Sequence, residues 1–216
     1  MKIIAVVICL LLTSWRGQAA LITFSFTGGT ASPDSQPTGA NVSDMIRGSG
    51  LAADTYIGEF NAHNWTINAS RDLNDYYAFT IAPNPNYTMA LTRLELDETR
   101  SGEGIRTWEI YSSLDNYGTA LITFNVPDDD KTRKNEGVDL SSAFNELSSA
   151  VTFRIYGFEA KSPAGTWHVD NVELFGNLTP VPEPPAWGVI SGVGMLVFCG
   201  FQLWRRCKLH NSSVHA

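Results

Sequence analysis

The sequence predicts an all-β protein whose main domain is an antiparallel β-sandwich. Between residues 21 and 176, short runs rich in aromatic and β-branched residues recur, as strands prefer. Clusters of Gly, Pro, Asn, Asp and Ser separate these runs and predict turns. No helical pattern alternates with the strands, which disfavours a parallel sheet. Seven or eight strands at this spacing indicate two packed antiparallel sheets.

Residues 1–20, before the sandwich, are typical of a secretory signal peptide. Lys2 gives a positive start, residues 3–12 form a short apolar core, and the small residues Ala19 and Ala20 offer a cleavage site. We therefore expect export through the Sec translocon and removal of the leader by signal peptidase.

The first strand is predicted over residues 21–26, where Ile22, Phe24 and Phe26 alternate onto one face. Residues 27–53 are rich in Gly, Ser, Pro, Asp and Asn and predict a long loop. A short helical turn is predicted over 142–147. The remaining strands are predicted over residues 55–60, 76–82, 89–96, 105–111, 120–126, 151–158 and 167–175.

The C-terminal residues predict a linker followed by a membrane span. Hydrophobic periodicity stops after Gly176, and residues 177–185 are proline-rich, which indicates a short, semi-rigid linker. Residues 186–204 are uncharged and apolar, about the minimum length for a transmembrane helix. The basic residues Arg205 and Arg206 begin the tail 205–216 and predict stop-transfer with a cytoplasmic C-terminus.

Val181-Pro182-Glu183-Pro184, the apolar helix with its glycines, and Arg205-Arg206 together resemble a PEP-CTERM sorting signal. In that family, Pro182, Glu183 and Pro184 would be the motif recognised by an exosortase-type membrane protease. The resemblance implies a Gram-negative host and an inner-membrane intermediate with a periplasmic ectodomain. Cleavage would then release the protein to the cell surface or the extracellular matrix. The tail after Arg206 is longer than is usual in the family.

Residues 167–176 read WHVDNVELFG and resemble the closing strand of jelly-roll modules of the carbohydrate-binding kind. Residues 107–115 also resemble the middle of jelly-roll ectodomains that carry PEP-CTERM tails. The likeness implies a jelly-roll-like sandwich, and it makes Asp170 a candidate ligand of a structural calcium ion. The alternative is a β-bulge at Asp170-Asn171, because the apolar alternation changes phase there.

Charge and cysteine positions exclude several classes of protein. Residues 21–180 hold 10 Lys and Arg against 21 Asp and Glu, a net charge of −11. Nucleic acid is therefore not an expected partner, since phosphate binding needs clustered cations. The three cysteines, Cys9, Cys199 and Cys207, all lie outside this range. The domain therefore has no internal disulfide, thiolate nucleophile or Cys-bound zinc.

No arrangement of residues predicts an enzyme, and apart from calcium no cofactor is expected. His63 and His168 lie in no metal-binding or triad motif, and His168 should face solvent. Glu95, Asp97 and Glu98 are interpreted as a solvated, partly paired strand end. Residues 128–130, three consecutive aspartates, are interpreted as a solvated turn, since they lack the spacing of a calcium loop.

Aromatic side chains are the candidates for binding sugars. Most are expected in the core, Trp108 and Trp167 among them, whereas Tyr87 and Tyr117 lie in predicted loops and are the better ligand candidates. Ordinary packing is the alternative for both. The sequence therefore predicts a non-catalytic structural or adhesive module of the cell envelope. The alternative is a carbohydrate-binding module for extracellular polysaccharide, with several aromatics exposed on one sheet face.

Overall fold

A computed structural model describes residues 19–54 and 58–182. The expected leader up to residue 18, the motif residues Glu183 and Pro184, the expected membrane helix 186–204 and the tail 205–216 lie outside the described residues. Within the two described ranges, no helix is both long enough and apolar enough to span a bilayer.

The described residues form twelve strands. In chain order they are β1 (Ile22–Phe24), β2 (Ala40–Val42), β3 (Ile46–Arg47), β4 (Ala52–Ala53), β5 (Phe60–His63), β6 (Tyr76–Pro83), β7 (Tyr87–Arg100), β8 (Thr107–Ser112), β9 (Ile122–Asn125), β10 (Arg133–Asp139), β11 (Val151–Phe158) and β12 (Trp167–Pro180). Three single 3-10 turns lie at Thr27–Gly29, Ser113–Asp115 and Ser142–Phe144.

The strands pair into two antiparallel sheets. Sheet A has the order β10-β7-β12-β5-β4, with β1 also paired to β12. Sheet B has the order β2-β6-β11-β8-β9, with β3 also paired to β6. If the short strands β1 to β4 are set aside, β5 to β12 follow the strand order of a jelly roll. The predicted antiparallel, jelly-roll-like sandwich is confirmed.

The core lies between the sheets and is rich in aromatic rings. In β12 the buried side chains alternate with less buried ones, as expected for a strand with one face on the core. Trp167 lies at the centre, with its ring 5.5 Å from Tyr77 and 5.4 Å from Trp65. The Tyr77 hydroxyl donates a 2.8 Å hydrogen bond to the Trp167 carbonyl oxygen. The Tyr77 side chain is therefore held both by packing of its ring and by its hydroxyl.

The predicted first strand is shorter than expected, but Ile22, Phe24 and Phe26 are all buried as predicted. The prediction of one continuous loop over 27–53 is wrong, because β2, β3 and β4 lie within it. Each has two or three residues and is held by backbone pairing at a sheet edge, so it has too few side chains for a visible alternation.

Strand β10 was also missed, because charged residues dominate it. It lies at the edge of sheet A, where charged side chains are favoured. Of the strand predicted over 55–60, residues 55–57 lie outside the described residues, and the described strand β5 begins at Phe60 and ends at His63. The helical turn predicted over 142–147 is only the 3-10 turn Ser142–Phe144.

Strand β12 continues four residues past the predicted end of the domain. Asn177 to Pro180 pair with Ala90 to Tyr87 of β7. The expected linker over 177–185 is therefore wrong for its first four residues, and the sandwich ends at Pro180. Sequence periodicity fails here because the exposed end of this strand carries polar residues and a proline.

We expect Trp167→Ala to lower the free energy of unfolding by about 3–5 kcal/mol, since it removes a fully buried indole from the core. The measurement is urea denaturation of the full chain in mild detergent, followed by near-UV circular dichroism. The control is Leu73→Ala, a side chain that is 63% exposed, with an expected change below about 0.5 kcal/mol. Equal effects of the two substitutions would contradict the described core.

Candidate functional site

The register of the strands places three tyrosines side by side on the outer face of sheet B. In β11, Phe153 and Ile155 face the core, so Arg154 and Tyr156 face outward. Tyr156 is paired with Tyr76 of β6, and Arg154 is paired with Tyr111 of β8. Paired residues share a face, so three tyrosines from three strands meet outside the core.

The rings of these tyrosines are in direct contact. The Tyr156 ring centroid lies 5.4 Å from that of Tyr76 and 5.5 Å from that of Tyr111, the second pair edge to face at 89°. Tyr111 and Tyr156 are buried although they belong to no part of the core, whereas Tyr76 is partly exposed. An outward-facing aromatic layer therefore covers the centre of the sheet.

Two arginines lie on this layer. The Arg154 guanidinium carbon is 4.4 Å from the Tyr76 ring centroid and 4.0 Å from that of Tyr117. The Arg71 guanidinium carbon is 3.6 Å from the Tyr111 centroid. These distances are typical of cation–π contacts. We call this surface the tyrosine face, and its members are Arg71, Tyr76, Tyr111, Tyr117, Arg154 and Tyr156.

Tyr117 joins the face from the segment that follows β8. Asn116 and Tyr117 both have left-handed backbones, with φ of 58° and 59°, a conformation that is unfavourable for a tyrosine. The Asp115 carboxylate accepts hydrogen bonds from the Gly118 and Thr119 amides and holds the turn. Arg71 Nη2 donates to the Tyr117 carbonyl oxygen at 3.0 Å. The turn therefore holds the partly exposed Tyr117 ring against Arg154.

Of the two ligand candidates named from sequence, the structure brings only Tyr117 to the tyrosine face. Tyr87 opens β7 in sheet A and packs on Gly39, where an added Cβ atom would lie 2.6 Å from the ring. That contact fits the packing alternative. The other five members of the face were missed because most aromatics were assigned to the core. The available signal was the alternation in β11, which places Arg154 and Tyr156 opposite Phe153 and Ile155.

Two guanidinium groups and the Glu109 carboxylate set the electrostatics of the face. Glu109 lies on the same face and accepts hydrogen bonds from the Tyr111 hydroxyl at 2.7 Å and the Thr123 hydroxyl at 2.8 Å. Burial, with the neighbouring Glu109, raises the pKa of Tyr111 to about 12, so its hydroxyl stays protonated. An arginine guanidinium group is not deprotonated in proteins.

The outer face of sheet A has the opposite character. Asp170 is paired with Asp97, and Glu173 is paired with Glu95, so like charges lie directly opposite one another. A surface depression lies beside them. Its lining includes Glu59, Asp97, Lys134, His168 and Asp170. This face is therefore the acidic side of the sandwich.

The bulge alternative at Asp170-Asn171 is confirmed. The register of β12 against β7 shifts between Asp170 and Glu173, and Asn171 has φ of 43°. The Asp170 carboxylate accepts the Asn171 amide at 2.7 Å, and the Asn171 side chain donates to Asp97 at 3.0 Å. In the described ranges, no three His, Cys, Asp or Glu side chains cluster closely enough to hold a metal ion. Calcium at Asp170 stays a prediction.

The acidic end of β7 was expected to be solvated, but it is largely buried. Asp97 and Glu98 are buried, and Glu98 accepts hydrogen bonds from the Trp167 indole at 2.8 Å and from Arg133 at 2.9 Å. His168 does face outward but is half-buried, and its ring lies 2.6 Å from the Glu59 carboxylate.

The aspartates at 128–130 form a turn, as predicted, but two of them are engaged by cations. Asp128 accepts hydrogen bonds from the buried Arg100 at 3.0 Å and from Lys161 at 2.6 Å, and Asp129 pairs with Arg133. These pairs tie the turn to the end of β7, to the start of β10 and to the segment after β11, which supports a structural role for the turn.

No protein-family model matches the chain, and no curated protein matches it. Among solved structures, a family 29 carbohydrate-binding module is similar at 17% identity and a TM-score of 0.38, over 73% of this chain and 89% of the module. The K3 cleaved adhesin domain of Lys-gingipain from Porphyromonas gingivalis is similar at 12% identity and a TM-score of 0.41, over 73% and 98%. Likeness at this level carries no argument about what the chain binds.

We expect Asp170→Asn to raise the melting temperature near neutral pH. Burial, with the charges of Asp97 and Glu59, raises the pKa of Asp170, so its ionised form destabilises the folded state. This destabilisation is present above the folded pKa and is lost as the pH falls below the unfolded value of about 3.9. The gain should be at most about 1 kcal/mol at neutral pH.

The measurement is thermal unfolding of the Asp170→Asn variant and the unchanged protein at about pH 7.5 and about pH 3.5. Asp130→Asn, which neutralises an exposed carboxylate, is the control and should change little at either pH. A lower melting temperature of Asp170→Asn at both pH values would show that the carboxylate stabilises the bulge instead.

Proposed function

We propose that this protein is an exported, non-catalytic adhesive module that binds extracellular polysaccharide through the tyrosine face. The observation that carries the proposal is the aromatic layer on the outer face of sheet B, with Tyr76 and Tyr117 partly exposed on either side of Arg154. A tyrosine offers an apolar ring face and a polar hydroxyl, which suit the C–H face and the hydroxyls of a sugar ring.

The position of the face supports a binding role over a packing role. Core aromatics lie between the sheets, where they bury apolar area, but this layer lies on the opposite side of sheet B. A flat face that crosses several strands suits an extended chain better than a small molecule, which prefers an enclosed cleft. A purely structural module without a ligand is the alternative.

The acidic depression on sheet A could suggest hydrolysis, because its carboxylates are close together. Its groups are, however, used within the fold. Asp97 accepts the Asn135 amide at 2.9 Å and the Asn171 side chain, and Asp170 accepts the Asn171 amide. This use in holding the bulge supports a structural role for both carboxylates and a non-catalytic protein.

The proposal includes export and sorting at the two ends of the chain. The leader would direct the chain to the Sec translocon, and cleavage would follow at Ala19 or Ala20. Pro182-Glu183-Pro184 would be recognised by an exosortase-type protease while the apolar run holds the chain in the inner membrane. The end of β12 at Pro180 and the exposed Val181 and Pro182 support access to the motif.

The first test is the binding of full-length protein in mild detergent to its host's extracellular polysaccharide, by affinity electrophoresis. Tyr76→Ala and Tyr117→Ala should each weaken binding about ten-fold, which corresponds to about 1.4 kcal/mol and is in the range of one aromatic contact. Tyr87→Ala, a tyrosine outside the face, is the matched control and should bind normally. Binding that depends on Tyr87 but not on Tyr117 would contradict the site.

The second test follows the sorting proposal by intact mass in each cell fraction of the native host. We expect a soluble extracellular form that begins after Ala19 or Ala20 and ends near residues 181–185. Glu183→Ala should leave the chain in the membrane fraction with Ala216 retained, whereas Asn211→Ala, beyond the basic cluster, should be processed normally. A wild-type chain that keeps Ala216 in the membrane would overturn the sorting proposal.

A further inference from the structure

We infer that the polysaccharide bound by the tyrosine face is anionic and carries carboxylate groups, as uronate-containing chains do. The inference rests on the proposed function and goes further, because it assigns the chemical class of the ligand. It follows from the two arginines of the face, their unpartnered N–H groups and the distribution of charge over the sandwich.

Each arginine of the face donates one hydrogen bond to an acceptor in the protein. Each also has one buried nitrogen whose N–H finds no acceptor. Arg71 Nη2 donates to the Tyr117 carbonyl oxygen, and Arg154 Nη1 donates to the Tyr156 hydroxyl at 3.2 Å. Arg71 Nη1 and Arg154 Nε are buried and have no acceptor in the described part of the chain. Buried donors without acceptors are uncommon and costly, so a ligand acceptor that meets them after a small shift of the arginine side chains would remove this cost.

Neither arginine has a carboxylate partner among the described residues, unlike four other cations of the domain. Arg93, Arg100, Arg133 and Lys161 all form ion pairs with Asp or Glu. Arg71 and Arg154 instead lie on tyrosine rings. In a domain with 21 acidic and 10 basic residues between 21 and 180, two cations without such partners on one face form a distinct positive patch.

Two carboxylates on the outer face of sheet B are engaged within the fold, and one of them, Glu159, accepts a hydrogen bond from the Thr107 hydroxyl at 2.6 Å. Glu109 accepts hydrogen bonds from Tyr111 and Thr123, so its charge weakens the patch without forming an ion pair with either arginine. The acidic residues of sheet A, Asp97 and Asp170 among them, lie on the opposite outer face. An anionic chain would therefore be repelled less by sheet B than by sheet A.

The chemistry of a stacked guanidinium group suits a carboxylate. An arginine that lies flat on a ring keeps the N–H groups at its edge available to acceptors in its own plane. A carboxylate fills two such positions with charge-assisted hydrogen bonds, which are about twice as strong as those to a neutral hydroxyl. Both guanidinium groups are near Tyr156, at 5.0 Å from its ring centroid for Arg71 and 3.2 Å from its hydroxyl for Arg154. One short stretch of polysaccharide can therefore reach both.

The test compares two probes that differ only in charge. Full-length protein in non-ionic detergent is titrated calorimetrically with oligogalacturonate, and then with the same oligosaccharide after its carboxyl groups have been reduced to primary alcohols. We expect the reduced probe to bind at least about ten-fold more weakly, with the difference shrinking at high salt.

Three variants locate the effect. Arg154→Gln should weaken binding of the acidic probe about ten-fold and leave the reduced probe little changed. Glu109→Gln removes the carboxylate that is hydrogen-bonded to Tyr111 and should strengthen binding of the acidic probe several-fold, an increase that a misfolded variant would not give. Lys134→Gln removes a positive charge at the sheet A depression and is the control, with no expected change.

The outcomes separate this inference from the proposed function. Equal binding of both probes that still depends on Tyr117 would overturn the anionic ligand and leave polysaccharide binding intact. If the protein binds neither probe but does bind a neutral host polysaccharide, the anionic ligand is again overturned and polysaccharide binding is kept. If Arg154→Gln and Lys134→Gln lose affinity for the acidic probe equally, the probe is attracted by the overall charge of the protein. That result would overturn the site. No binding to any polysaccharide would contradict both proposals.

Discussion

The pairing of β11 between β6 and β8 is the constraint on which the candidate site depends. This register places Tyr156 beside Tyr76 and Arg154 beside Tyr111, and it turns Phe153 and Ile155 toward the core. A slip of one residue would exchange the two sets, exposing the apolar residues and burying a guanidinium group. The burial that stabilises the sandwich therefore also fixes the tyrosine face.

The two sheets use their outer faces differently. Sheet A carries opposed carboxylates at Asp97 and Asp170, joined by a bulge and partly relieved by hydrogen bonds from Asn171. Sheet B carries arginines stacked on tyrosines. Under the proposed function, this difference in charge between the two faces would orient the protein on an anionic matrix.

Much of the fold could be predicted from the sequence, because alternation and turn residues are local signals. Strand β11 and the bulge at Asp170-Asn171 were predicted this way. Strand β10 could not be, since an edge strand tolerates charge and shows no alternation. The tyrosine face was equally hidden, because it depends on the register between distant strands. Only Tyr117 was recognised, from its position in a loop.

The most direct test of the central claim is hydrogen–deuterium exchange of the full-length protein with and without its host's extracellular polysaccharide. Polysaccharide bound at the tyrosine face should slow exchange in the two segments that border it, around Arg71 and around Tyr117. The acidic depression near Asp170 should be unchanged. Protection confined to the depression, with none around Tyr117, would contradict the account and place binding on sheet A.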